Sequence, residues 1–125
     1  MTEWRVSLED QSVSELAESI RQGAMIDESG MRMLTEETVA RVRGLKMEIF
    51  SNEHPPPHFR VEYQGSTANY QISDCSRING SGEILRYEKN IRVWWKNNKQ
   101  KLIHRWNSKR PSDCPVGVYK SEVDT

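Results

Sequence analysis

From Leu45 the chain alternates, with Leu45, Met47 and Ile49 on one side and Lys46, Glu48 and Phe50 on the other, the two-residue period of a strand. His58 to Tyr63 repeats the pattern, setting Phe59, Val61 and Tyr63 opposite His58, Arg60 and Glu62. Gln64-Gly65-Ser66 reads as a turn, and Ala68 to Ser73 as a third strand with Ala68, Tyr70 and Ile72 against Asn69, Gln71 and Ser73. So short a connection predicts an antiparallel hairpin. Asn79-Gly80-Ser81-Gly82 breaks the alternation, after which Ile84, Tyr87, Ile91, Trp95, Leu102 and Trp106 trace one stripe of a long helix ending near Lys109. Asn97-Asn98 interrupts that stripe, so two shorter helices are the alternative. Neighbours on a helix differ by about 100°. Trp95 therefore falls on the stripe and Trp94 at its margin, as a core flank or as an anchor for a partner or a base.

Upstream the period is helical. Ser12 can cap a short amphipathic helix to Gln22, in which Val13, Leu16, Ala17 and Ile20 recur at three- and four-residue intervals and which Gly23 stops. A weaker helix begins at Thr35, with Glu36 and Glu37 in its first turn, and runs through Val39 and Val42 to Gly44. Met25, Met31 and Met33 lie between them as fillers of core gaps or contacts for a partner. Pro111 and Pro115 end the long helix and leave an extended tail. The expectation is an α+β fold in which a three-stranded antiparallel sheet packs against a long C-terminal helix, with a helical N-terminal extension. The ranges are 1–43 for the extension, 44–110 for the β-β-β-α domain and 111–125 for the tail, and the extension should be separable from the domain.

Composition changes this picture in one respect. The 125 residues carry 18 cationic and 18 acidic side chains, a balance that by itself argues against a strongly electrostatic nucleic-acid binder. The average conceals a division. From Met1 to Arg43 nine acids outnumber five arginines, whereas from Arg86 to Arg110 nine cations face only Glu88. An acidic head and a basic helix could be partners within one molecule, or the helix could be reserved for an acidic ligand. No apolar run approaches the length needed to span a bilayer and the first residues do not read as a secretory signal, so a cytoplasmic location is expected. Cys75 and Cys114 are far apart with no Cys-x-x-Cys neighbour, and read as free thiols.

The segment Glu53-His54-Pro55-Pro56-Pro57-His58-Phe59-Arg60-Val61 resembles the signature of a small bacterial family catalogued as domain of unknown function 4160. The resemblance covers about Gly44 to Asn107. His54, Pro56, Pro57 and His58 match the family's His-x-Pro-Pro-His-x-His segment and Trp106 matches a tryptophan near the helix end, while Arg60 stands where the signature has its last histidine. It implies three strands and a helix. It also implies a gene neighbourhood of toxin-antitoxin-like genes, an association and not a mechanism.

His54 and His58 invite a metal reading with Cys75 as a third ligand. If the prolines between them hold polyproline geometry, four residues advance about 12 Å, and only a turn such as a cis proline provides would bring both imidazoles to one ion. The alternative is that both histidines hydrogen-bond to neighbouring backbone. No metal and no cofactor are therefore expected. His58, Arg60 and Glu62 share a strand face that could hold an anion, or that is a solvated face with an Arg60–Glu62 pair. Nothing places a histidine beside Cys114 to activate it, His104 sits among cations, and Gly80 and Gly82 lack the Lys-Ser/Thr of a phosphate loop. The reading that results is a small regulatory or defence-associated binding module. Its ligand-binding residues are His54, His58, Arg60, Arg92, Lys96 and Lys99, and its partner is nucleic acid or an acidic protein. A metal-dependent enzyme using His54 and His58, or a structural subunit of a two-gene complex, are the alternatives.

Overall fold

The computed structural model describes residues 3–8, 11–25, 45–52 and 56–120. Five antiparallel strands lie in the order of the chain: β1 (Trp4–Leu8), β2 (Lys46–Ser51), β3 (His58–Tyr63), β4 (Ser66–Gln71) and β5 (Arg77–Ser81). Helix α1 (Gln11–Arg21) follows β1, and a 3-10 turn over Glu83–Tyr87 leads into α2 (Glu88–Lys109). The α+β class, the antiparallel sheet and the C-terminal helix stand as expected.

Among the described residues the sheet has five strands, not three. β1 replaces the start of a purely helical extension, because Trp4, Val6 and Leu8 alternate as buried residues against exposed Arg5 and Ser7 and pair with β2 from Trp4↔Ser51 to Leu8↔Met47. β5 occupies Arg77–Ser81, where a break was expected. Glycine there serves close approach: a Cβ on Gly80 would come 2.9 Å from the Ala68 Cβ and 3.1 Å from a Leu85 methyl. β4 starts two residues earlier than expected, since Gln64 (φ 49°) and Gly65 (φ 79°) both take left-handed backbone and close a two-residue hairpin that pairs Tyr63 with Ser66.

The N-terminal helix is short and sits close to its expected span; Gly23 (φ 113°) ends it, its N–H on the Ile20 carbonyl at 3.0 Å. The helix expected from Thr35, with Met31 and Met33, lies outside the described residues. α2 is one helix with no break at Asn97-Asn98, and the 3-10 turn takes up what was expected as its first turn.

Phe59, Val61 and Tyr63 of β3 turn to the face covered by the helices, where the Trp94 ring lies 5.9 Å from that of Phe59. Of the two neighbours, Trp94 is thus the one buried in the core and Trp95 the half-buried one, the reverse of the expected assignment. Ile84, Ile91, Leu102 and Trp106 of the expected stripe are buried, and two asparagines are buried beside them. Asn90 Nδ2 donates to the Ser19 and Gly23 carbonyls at 3.2 and 3.0 Å, and its Oδ1 accepts the Met25 N–H at 2.8 Å. Asn98 Nδ2 donates to its own helix at the Trp94 carbonyl and to Glu15 Oε2. The Trp94 indole adds a bond of 2.7 Å to the Ser12 carbonyl. α1 is therefore fastened to α2 by hydrogen bonds as well as by the burial of Leu16 and Ile20. The start of the tail is also held: Val116 is buried, and Asn107 exchanges side-chain bonds with the Tyr119 backbone at 2.8 and 3.2 Å.

Candidate functional site

Strand alternation turns His58, Arg60 and Glu62 to the sheet face opposite the one that buries Phe59, Val61 and Tyr63. Register then decides their neighbours. Phe50 of β2 stands opposite His58, and on the other side His58 pairs with Gln71 and Arg60 with Asn69, which in turn faces Asn79 of β5. Phe50, Asn52, Pro56, His58, Arg60, Asn69, Gln71, Ile78 and Asn79 line a shallow cup of about 410 Å³.

Arg60 organises the cup. Its guanidinium carbon lies 4.4 Å from the centre of the Phe50 ring, its Nε donates to Asn69 Oδ1 at 3.2 Å, and one terminal nitrogen lies 3.7 Å from a Glu3 carboxylate. Its partners are thus Asn69 and Glu3 rather than Glu62. The Asn69 amide donates onward to Asn79 Oδ1. The His58 ring meets Phe50 edge-on at 4.0 Å, and burial pulls its pKa below 6.5, with the Arg60 charge acting the same way and the Pro56 carbonyl and Glu3 opposing. His58 is accordingly neutral near pH 7. With Nδ1–H directed at the Pro56 carbonyl 3.5 Å away, Nε2 is left as an acceptor.

Three buried polar atoms have no partner among the described residues: Trp4 Nε1, Asn98 Oδ1 and Gln71 Oε1. Gln71 is the one of these that lines the cup.

Arg92, Lys96 and Lys99 lie elsewhere. They share a flank of α2, in the layer on the other side of the sheet, so the histidine-arginine strand face and the basic helix do not form one surface. Lys99 donates to the Ser73 carbonyl at 3.0 Å with its ammonium 5.5 Å from the Trp95 ring. The carboxyl of Asp74 is held below its ordinary pKa first by hydrogen bonds from Ser76 and in smaller part by the charge of Arg92. Lys96 is exposed. Of the acidic head, Glu15 reaches α2 at Lys101, 3.9 Å away. His54 lies outside the described residues, and among these no three His, Cys, Asp or Glu side chains cluster as metal ligands do. Cys75 and Cys114 are free thiols.

Phe50, Asn69, Gln71 and Asn79 were not singled out from the sequence. The first three were already on the polar side of their strands, but Asn79 sits in a strand that composition disguised.

A family model described as a domain of unknown function (DUF4160) matches residues 44–107. The chain belongs to this family. The DUF4160 span takes in all the residues of the cup and the basic flank of α2, whereas β1 and α1 precede it. No curated protein and no solved structure matches the chain.

Proposed function

We propose that this DUF4160 protein is a small regulatory or defence-associated binding module that engages nucleic acid through one flank of α2. Lys89, Arg92, Lys96 and Lys99 recur there at three- and four-residue intervals. The observation that carries the reading is the position of Glu88, the single acid between Arg86 and Arg110. It is turned toward the sheet, accepting a hydrogen bond from Tyr70 at 3.1 Å and pairing with Arg77 at 3.4 Å, so α2 supplies no carboxylate to that flank. A row of cations on a rigid helix suits the phosphate backbone, which is read by charge and not by sequence.

The full chain should bind short single- and double-stranded DNA or RNA with an affinity that falls steeply as salt rises. Lys89→Glu combined with Lys96→Glu should weaken binding about tenfold or more, equally across sequences. Absence of binding at low salt would remove the reading in favour of an acidic protein partner.

A further inference from the structure

We infer that the cup on the outer face of the sheet is a second binding site, one that takes a single uncharged nucleobase or a heterocycle of like chemistry. Two local costs converge on it. The first is Gln71, a half-buried residue whose Oε1 is buried without a partner among the described residues and would meet a ligand's N–H on a turn of the side chain toward the cup. The second is Ile78. The register moves from Asn69↔Asn79 to Tyr70↔Arg77, which makes Ile78 the extra residue of a β-bulge. Without the bulge the alternation of β5 would send Ile78 and Asn79 to opposite faces; with it both line the cup, and Ile78 remains 44 % exposed.

The chemistry of the walls selects the class of ligand. Arg60 already has Glu3 as a counter-charge and Phe50 beneath it, and His58 presents an acceptor, so the cup is not an anion trap. A fully deprotonated anion would also bring no proton to Gln71 Oε1. Acceptors at Gln71 and His58 stand beside donors at Arg60 and the Asn79 amide, a mixed set that matches the alternating donors and acceptors on the edge of a base. Guanidinium and imidazole planes are surfaces on which a flat ring stacks, and Ile78 supplies an apolar rim. A volume of about 410 Å³ is within the range of small-ligand sites.

The test uses the full chain and the four ribonucleosides, which carry no phosphate, so the α2 reading and this one can fail separately. Amide and side-chain NMR signals of Asn69, Gln71, Ile78 and Asn79 should shift on titration with at least one nucleoside. Gln71→Leu and the surface variant Ile78→Ser should each weaken that binding about tenfold, a loss of about 1.4 kcal/mol. Lys89→Glu with Lys96→Glu should leave it unchanged. The proposal is overturned if no nucleoside shifts these signals at about 10 mM, a concentration that would populate even millimolar sites. It is equally overturned if ribose alone gives the same shifts, if inorganic phosphate binds the cup more tightly, or if both folded cup variants bind like the parent chain.

Discussion

Asn90 beneath the sheet and Gln71 on top of it are both carboxamides, yet they are used differently. Asn90 is wholly buried, with its oxygen and its amide committed to α1 and the residues just after it. Gln71 keeps an oxygen without a partner among the described residues beside an exposed isoleucine. On the inner face polar groups assemble the fold; on the outer face a connected set from Arg60 through Asn69 to Asn79 stops at the rim of a cavity. Asn98 also leaves an oxygen without a partner among the described residues, but inside the core; Gln71 borders a concave surface that a ligand can reach.

The largest way to break this contrast is to remove what covers the inner face. Deleting residues 1–43 takes away Trp4, Val6, Leu8, Leu16 and Ile20, all buried, and the carbonyls that satisfy Asn90 and Trp94. The truncated chain should show no cooperative urea transition by circular dichroism; a transition at the parent midpoint would mean that the 44–110 unit stands alone. Next in size, Asn90→Ala should cost about 3 kcal/mol, because several buried partners lose their bonds at once. Asn79→Ala on the exposed strand should cost less than about 1 kcal/mol. Equal costs would erase the distinction between the faces. Gly80→Ala should destabilise by about 1–2 kcal/mol through contact with Ala68 and Leu85, read as a lowered midpoint with an unchanged slope.

The smallest effect concerns pH. Burial lowers the His58 pKa from its ordinary 6.5, so the unfolded chain takes up that proton first. The stability this gives is present above pH 6.5 and lost as pH falls through the folded value. Denaturation of the parent and of His58→Asn across that window should show the difference between them shrinking toward acid. A constant difference would place His58 in the same surroundings folded and unfolded.

Much of the outer site was legible because strand alternation is local: His58 and Arg60 had to share a face wherever β3 lay. Which side chains come to stand beside them is a matter of register, and that is set by strands elsewhere in the chain. β5 was hidden because Arg-Ile-Asn-Gly-Ser carries one apolar residue and the composition of a turn, with its glycine serving packing instead. β1 was hidden because its partner β2 follows a long intervening segment, so no hairpin signal joins them. Apolar spacing alone places Ile84, Ile91, Leu102 and Trp106 on the buried side of the helix, but it cannot place Asn90 and Asn98 there. Spacing puts Trp94 at the margin of the apolar stripe for the same reason.

Among the described strands, β2 to β5 each meet their neighbour across a short stretch of chain, and β3 and β4 close on a two-residue turn. β1 alone must find β2 after the whole interval from Leu8 to Lys46. Loop closure costs more for the longer interval, so we expect the hairpin of β3 and β4 to form in the folding nucleus and β1 to dock after the barrier. Mutation at Val6 should then change mainly the rate of unfolding and mutation at Val61 the rate of folding. Of the five described strands, the one nearest the N-terminus would be the last to take its place.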